Sequence, residues 1–433
     1  MSLRFGIAAG DITPDPGLPM GGYAARVEVA TDALDPLHCQ AVVVSDDTAI
    51  VAVVALDLVY VNADWSAPLR ESIGRRLDCP AANVLVAATH THAGPAVFRS
   101  ALVDSERMRA YEQDVADIVL HTVDRARNAL QPAQLAFGQA RQPSVAASLH
   151  AVTEDIDDRV RVLVARGTAG SPIGVIAAYG CHPTVLAATN RRYSRDLFGA
   201  AVDAAERRLG SPVALFNGAA ADVSTRFTRR GQDPSEVDRL GHALGEAIVE
   251  AVSRAVPVES SPIRARVDLH AVTLRSLPDV EAAQNLVAAA AARLQEARTH
   301  NRTPGEVRHA EAGMEGALAQ LFIAMRGPHV ALGQRADAGQ PGHGVQHCAV
   351  LQLLEVAGCD VLGVPGELFS SVGGQVCAAR PRPTLLIGYA NDYLGYLVPP
   401  RAAAGGEYEA LLAVVDSTSA ATLADRLASM RME

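Results

Sequence analysis

Val84-Leu85-Val86-Ala87-Ala88-Thr89-His90-Thr91-His92-Ala93-Gly94-Pro95 is the stretch on which the reading of this chain turns. Val84 to Ala88 is apolar without alternation, the pattern of a strand covered on both faces. Polarity switches at Thr89-His90-Thr91-His92, and Gly94-Pro95 ends the strand. Residues i and i+2 of an extended chain share a side. His90 and His92 are therefore expected to project together from a strand end, where open α/β sheets place ligands. Two imidazoles aimed at one spot suit a divalent metal, or one ligand beside one acid–base group. Two histidines satisfied within a polar loop is the plainer alternative.

Working outward, the same pattern recurs. Ile50–Leu56 is an apolar strand ending at Asp57, a carboxylate placed to cap the next turn or to line a site. Ile173–Tyr179 runs into Gly180-Cys181-His182-Pro183, where the proline biases His182 toward extended geometry. Pro212–Phe216 leads into Asn217-Gly218-Ala219-Ala220-Ala221-Asp222-Val223-Ser224, whose small residues permit close backbone approach. No G-x-S-x-G elbow surrounds Ser224. Val361–Val364 precedes Pro365-Gly366-Glu367 and a helix over Leu368–Ala379, which puts Glu367 near a helix N-terminus. Thr384–Ala390 leads into Asn391-Asp392-Tyr393-Leu394-Gly395-Tyr396.

Helical spacing marks Trp65–Leu77, Glu106–Leu130 and Ser235–Ala255, the last capped by Ser235. Asp279–Thr299 and Glu306–Met325 form a helical hairpin around the turn His300-Asn301-Arg302-Thr303-Pro304-Gly305, either a lid or a plain insertion. Taken singly, each polar group has a structural explanation. Several strand ends bearing His90/His92, His182, Asp222/Ser224, Glu367 and Tyr393/Tyr396 favour a site at one sheet edge.

Composition bounds what that site serves. The chain has 433 residues, 49% hydrophobic and 20% charged, enough for a large core. A net charge of −10 argues against nucleic acid as a partner and offers no polybasic patch to an anionic membrane. No apolar run reaches the length of a membrane helix, and Met1-Ser2-Leu3-Arg4-Phe5-Gly6-Ile7 lacks the apolar core of a signal peptide. Six cysteines stand singly, without C-x-x-C spacing, so a reduced, cytoplasmic protein is expected.

The motifs together resemble the neutral ceramidase family in its N-terminal catalytic domain. The matching pieces are Asp11-Ile12-Thr13-Pro14 with Gly21-Gly22-Tyr23, Ala88-Thr89-His90-Thr91-His92-Ala93-Gly94-Pro95, and Gly180-Cys181-His182-Pro183. They continue with Ala221-Asp222-Val223-Ser224, Val364-Pro365-Gly366-Glu367, and Gly388-Tyr389-Ala390-Asn391-Asp392-Tyr393-Leu394-Gly395-Tyr396, in the family's order. The resemblance implies an α/β fold of mixed sheets flanked by helices, one catalytic domain over residues 1–433 with the hairpin at about 279–325 inserted. It implies zinc held by His90, His182, Glu367 and Tyr396, with His92 as the acid–base residue. Tyr408 matches a second tyrosine near the scissile amide, and Ser224 matches the family's serine.

The chain departs from the family where Ser224-Thr225-Arg226 replaces a serine-proline-asparagine run, and where Leu149-His150 stands in place of an asparagine-arginine pair. The family's C-terminal immunoglobulin-like domain and secretion signal are expected to be missing. The resemblance therefore implies a zinc-dependent hydrolase of an N-acyl amide or lipid-like small molecule, with no bearing on oligomeric state. Esterase or lactonase action at the same site, a serine nucleophile at Ser224, and a non-catalytic lipid- or amide-binding relative are the rivals. Retention of His90, His92, His182, Glu367, Tyr396 and Tyr408 together speaks against the last.

Overall fold

The computed structural model describes residues 3–23, 26–97, 106–150, 155–259, 261–300, 304–326, 346–405 and 408–432. Two five-stranded sheets form its body. The first runs Val84–Ala88, Ile50–Leu56, His38–Ser45, Arg4–Asp11 and Gln131–Pro132 in spatial order. Its first two strands are parallel and the next pairings antiparallel. The second runs Val213–Asn217, Pro172–Tyr179, Arg159–Arg166, Gln134–Arg141 and Val256–Pro257, again with one parallel pair. A four-stranded sheet of Arg264–Thr273, Gln346–Val356, Cys359–Gly363 and Thr384–Ile387 stands third, and three two-stranded sheets accompany these among the described residues. These are mixed sheets flanked by helices, as the sequence predicts.

Strand periodicity sorts the core into layers. Val42, Val44, Val51, Val53 and Leu85 of the first sheet meet Leu163, Ile176, Ala214 and Phe216 of the second, and Val361, Leu385 and Ile387 of the third close the same cluster. The alternate residues, such as Val43, Val54, Val86, Val162 and Val175, face outward to the helices. Both faces being covered explains why Val84–Ala88 shows no polar alternation.

Glu106–Asn128 packs on strands Arg4–Asp11 and His38–Ser45. Pro234–Ser253 packs on Gln134–Arg141 and Arg159–Arg166. Its cap is Asp233, not Ser235: the carboxylate accepts the N–H groups of Ser235 and Glu236, leaving Pro234 in the first turn where its missing N–H costs nothing. Two helices that the sequence reading does not assign, Asp196–Leu209 and Ser417–Ser429, are present. The first lacks a capping signal because Asp196 spends its carboxylate elsewhere, on the N–H groups of Val185, Leu186 and Leu197. The hairpin forms as Val280–Thr299 and Pro304–Arg326; residues 301–303 of its turn lie outside the described residues.

Asp57 proves to be a brace. Its Oδ2 accepts the His38 N–H at 2.8 Å and its Oδ1 the Thr89 hydroxyl at 3.0 Å, so it ties three strand ends. Burial pushes its carboxyl up to about 6, against the nearby Arg195 charge and these hydrogen bonds. A folded-state value above the unfolded one means the fold binds that proton more tightly. Its stabilising contribution is full below the ordinary carboxylate range and is lost as pH rises through about 6. Melting temperature should therefore fall between pH 4.5 and 7, and by less in Asp57→Asn. An identical fall in wild type and variant would show that Asp57 does not carry it.

Candidate metal centre

Four strands end at one place because one buried residue, through its side chain and its backbone carbonyl, holds them there. The Asn217 carboxamide donates to the carbonyls of Thr89 and Cys181, each at 3.0 Å, and accepts the Cys181 N–H at 3.2 Å. Its own backbone carbonyl takes the Gly388 N–H at 2.9 Å. The ends of Val84–Ala88, Pro172–Tyr179 and Thr384–Ile387 are thereby fixed around the end of Val213–Asn217.

His90 does not continue the strand as expected. Its backbone is left-handed, with φ +68°, so the turn and not strand alternation brings His90 and His92 together. The His90 Nδ1–H donates to the Val59 carbonyl at 2.6 Å, and the His182 Nδ1–H to the Ala220 carbonyl at 2.7 Å. Each Nδ1 is thus committed to the backbone, and each Nε2 is turned into the site, where it offers a lone pair whenever the ring is neutral. Both turn to one atom: Glu367 Oε2 lies 3.2 Å from His182 Nε2 and 3.7 Å from His90 Nε2. His92 Nε2 lies 3.2 Å from His90 Nε2. One donor atom from each of His90, His92 and His182 lies within 4.8 Å of the others, so the group could hold a metal ion.

Glu367 also sits differently from its expected helix N-terminus. It belongs to a two-residue strand, Glu367–Leu368, parallel to Tyr396–Leu397, with Glu367 in register with Tyr396. The helix begins only at Ser370 and has no side-chain cap. Histidines and a phenol, not a helix dipole, meet this charge. The Tyr393 hydroxyl donates to Oε1 at 2.5 Å, and the Tyr389 hydroxyl lies 3.4 Å from Oε2. Burial works to raise the Glu367 pKa, but His90, His182 and the Tyr393 bond outweigh it and hold the carboxyl below its ordinary value. Burial drives His90 well below the usual imidazole value, whereas the bond to Glu367 overcomes burial at His182 and raises it.

Tyr396, half-buried, stands beside Glu367 through their strand register, and its ring meets that of Tyr408 edge-on at 6.2 Å between centroids. Burial, then Glu367, pushes the Tyr396 phenol well above its ordinary value. Ser224 is buried and forms a backbone bridge with His182, and its Oγ accepts the Arg226 N–H at 3.1 Å; among the described residues its hydroxyl is not hydrogen-bonded to a histidine. His150 does reach a buried carboxylate, its Nε2 lying 3.2 Å from Oε2 of Glu409.

Several supporting residues escape a reading by motif. The Arg26 guanidinium is buried and donates to the carbonyls of His92 at 2.7 Å, Ala188 at 3.0 Å and Gly21 at 3.1 Å, with Tyr23 under it at 4.9 Å. Gly22 has φ +92°, and a Cβ there would lie 2.4 Å from His92 Cγ, so the glycine-glycine-tyrosine loop packs on the His92 ring. Asn217 and Arg26 carry no local signature. Only their company in a strand-end loop and beside a Gly-Gly-Tyr turn marks them.

Comparison with known proteins agrees with this architecture. The family model for neutral/alkaline non-lysosomal ceramidases, N-terminal, matches residues 3–224, just over half of the chain. The neutral ceramidase of Pseudomonas aeruginosa is 23% identical over 468 residues, covering 94% of this chain and 68% of that protein. Its crystal structure superposes with a TM-score of 0.75 at 18% identity, covering 99% of this chain and 74% of that one. A ceramidase complexed with C2 gives a TM-score of 0.73 at 18% identity, covering 99% of this chain and 75% of that one. With more than half of its length matched to one family and its fold shared across nearly all of it, the chain belongs to the neutral/alkaline non-lysosomal ceramidase family.

Proposed function

We propose that this protein is a zinc-dependent hydrolase of an N-acyl amide bond, of the ceramide-like kind that its family's name denotes. The observation that carries the reading is the convergence of His90 Nε2 and His182 Nε2 on Glu367 Oε2, with both Nδ1 atoms already committed to carbonyls. Two imidazoles and a carboxylate with fixed outer bonds are a donor set that zinc accepts. Tyr396 would be the fourth ligand. Its raised pKa means that the apo protein holds the phenol protonated, so metal uptake should release a proton. Bound there, zinc would supply a Lewis acid that polarises the amide carbonyl and makes water a nucleophile at neutral pH.

The remaining steps belong to side chains. His92, beside His90 and packed under Gly22 and Tyr23, would take a proton from the attacking water and return it to the leaving amine. Burial, then Glu315 and Glu409, raises the Tyr408 pKa, so its hydroxyl stays a donor and can meet the developing oxyanion. Ser224 is included as a supporting catalytic residue: its Oγ accepts the Arg226 N–H and keeps its own O–H free to donate.

Residues 1–433 are read as one catalytic domain with the hairpin at about 279–325 inserted. The six cysteines are free thiols, which fits the cytoplasmic location included in this reading. No helix among the described residues is long and apolar enough to cross a membrane.

The deciding measurement is metal content of wild type and His182→Ala beside hydrolysis of N-acyl amides of graded chain length. About one zinc per chain, lost in the variant, with amide cleavage by wild type alone, is expected. Wild type that neither contains nor takes up zinc would end the reading. Tyr393→Phe removes a donor to Glu367 and should weaken metal affinity roughly 10–100-fold, read by competition with a chelator. Tyr408→Phe should slow turnover about a hundredfold with metal retained. A rate near wild type would remove Tyr408 from the mechanism.

A further inference from the structure

Tyr408 is carried by a helix of only five residues, Tyr408–Leu412, too short to hold its own shape, so contacts outside the helix must fix it. Its far end is tied down. The Arg275 guanidinium donates to the carbonyls of Ala413 and Leu411, the latter at 2.6 Å, and the Gln320 amide donates to Leu411 at 3.0 Å. Its first turn carries Glu409, a carboxylate with no exposed surface. Neither oxygen of Glu409 receives an aligned hydrogen bond from a described residue. The group that meets it is His150, whose Nε2 lies 3.2 Å from Glu409 Oε2. A carboxylate removed from water is costly unless a donor or an opposite charge faces it, so this contact governs whether the first turn stays docked.

His150 is mounted on the part of the fold that bears the histidine cluster. It follows the short strand Ala147–Ser148, which pairs antiparallel with Val223–Ser224, and Ser224 in turn bridges His182. The Leu149 N–H donates to the Asp222 carbonyl at 2.7 Å and the His150 N–H to Ser148 Oγ at 3.1 Å, which fixes the backbone that carries the imidazole. The ring stacks on Phe369 at 6.4 Å between centroids, with 12° between the planes. Phe369 comes two residues after Glu367 and lies in one apolar cluster with Ala410 and Ala413. The contact between His150 and Glu409 therefore joins the strand ends around His182 and Glu367 to the helix that begins at Tyr408. A rotation of the first turn that brought Glu409 to water would carry Tyr408 away from the Tyr396 ring, which it meets at 6.2 Å.

We propose that His150 is a positioning residue for Tyr408: by holding Glu409 it keeps the Tyr408 hydroxyl beside Tyr396, at the reacting end of the site. This rests on the hydrolase reading above. His150 touches no reacting atom in this scheme, so its loss should read as a loss of Tyr408.

The test is a double-mutant cycle on zinc-loaded full-length protein, with the N-acyl amide that wild type cleaves fastest in the graded series. His150→Phe keeps a ring against Phe369 and removes the nitrogen that faces Glu409. It should lower kcat at least about tenfold, with KM changed by less than about twofold and zinc content unchanged. In a Tyr408→Phe background the same substitution should cost no more than about twofold, since no hydroxyl is left to misplace. His150→Gln, which keeps an N–H near the Nε2 position, should recover most of the rate. A rate near wild type in His150→Phe, a loss confined to KM, an equal loss in both backgrounds, a loss of zinc, or no recovery in His150→Gln would overturn the assignment. A second readout needs no turnover. Fluorotyrosine incorporated at position 408 should give a fluorine resonance that shifts or broadens in His150→Phe and keeps its wild-type position in His150→Gln. If wild type cleaves no amide, or Tyr408→Phe is as fast as wild type, the hydrolase reading or the part of Tyr408 in it has failed, and this resonance decides the positioning separately: moved, it stands; unmoved, it falls. Thermal melts identify a variant that has lost its fold. His150→Asn, whose amide stops at the Nδ1 position, then replaces His150→Phe in both assays, with the same outcomes deciding.

Discussion

The Asn217 carboxamide is the bond on which the site depends. It is fully buried and uses both kinds of its hydrogen-bonding capacity, two donations and one acceptance, on two other strand ends. The residues it touches are each one position before a functional group: Thr89 before His90, Cys181 before His182, and Gly388, held by the Asn217 carbonyl, before Tyr389. Aspartate could not donate to the two carbonyls, and leucine would leave both without partners in a dry interior, where each orphaned group costs about 1–3 kcal/mol. The positions of the His90 and His182 rings beside Glu367 thus depend on one side chain that itself performs no chemistry, and the same residue's backbone carbonyl holds Gly388 before Tyr389.

Holding strands together does not by itself aim their side chains inward, and the backbone is bent to do so. His90, Tyr389 and Asn391 all take positive φ without being glycine. Such conformations cost of order 1 kcal/mol or more each and persist only where the surroundings over-determine them. Here they do. Asn391 exchanges hydrogen bonds with the backbone of Val86 through its own N–H and Oδ1, and its amide donates to Gln352. His90 stacks on Tyr389 at 4.1 Å while its N–H and Nδ1–H are taken by the carbonyls of Leu58 and Val59. The strain buys a cluster in which each imidazole presents the same nitrogen.

Much of this was legible before any coordinates. Unbroken apolar runs ending in polar residues mark Val84–Ala88, Ile173–Tyr179 and Pro212–Phe216 as buried strands, each within one residue of the observed bounds, because a strand covered on both faces has no reason to alternate. The pairing of His90 with His92 was legible as an outcome but not as a cause, since alternation in a strand and a left-handed turn give the same sequence signal. Glu367 was legible as a site carboxylate, yet its position in a strand was not, because two residues are too few to show a period. Asp196–Leu209 was hidden by a helix start without a cap. Asn217 and Arg26 were hidden for a deeper reason: their partners are backbone carbonyls brought close only by tertiary structure, and a carbonyl leaves no trace in sequence.

The two parts of the site differ in what holds them, and this sets which part can change. His90, His182 and Glu367 hang from strand ends whose backbones are bonded to one another, so moving any one disturbs the core. Tyr408, by contrast, begins a short helix, Tyr408–Leu412, that rests against the hairpin through Gly316 and through the Gln320 amide on the Leu411 carbonyl. Arg226 rides on a turn and Glu315 on the hairpin itself. Substitution in this outer layer leaves the strand-end bonds untouched. The mixed sheets persist at 18% identity to a solved ceramidase; of the two departures after Ser224, half-buried Arg226 lies in this outer layer, whereas Thr225 is fully buried and its carbonyl accepts the N–H groups of Thr228 and Arg229.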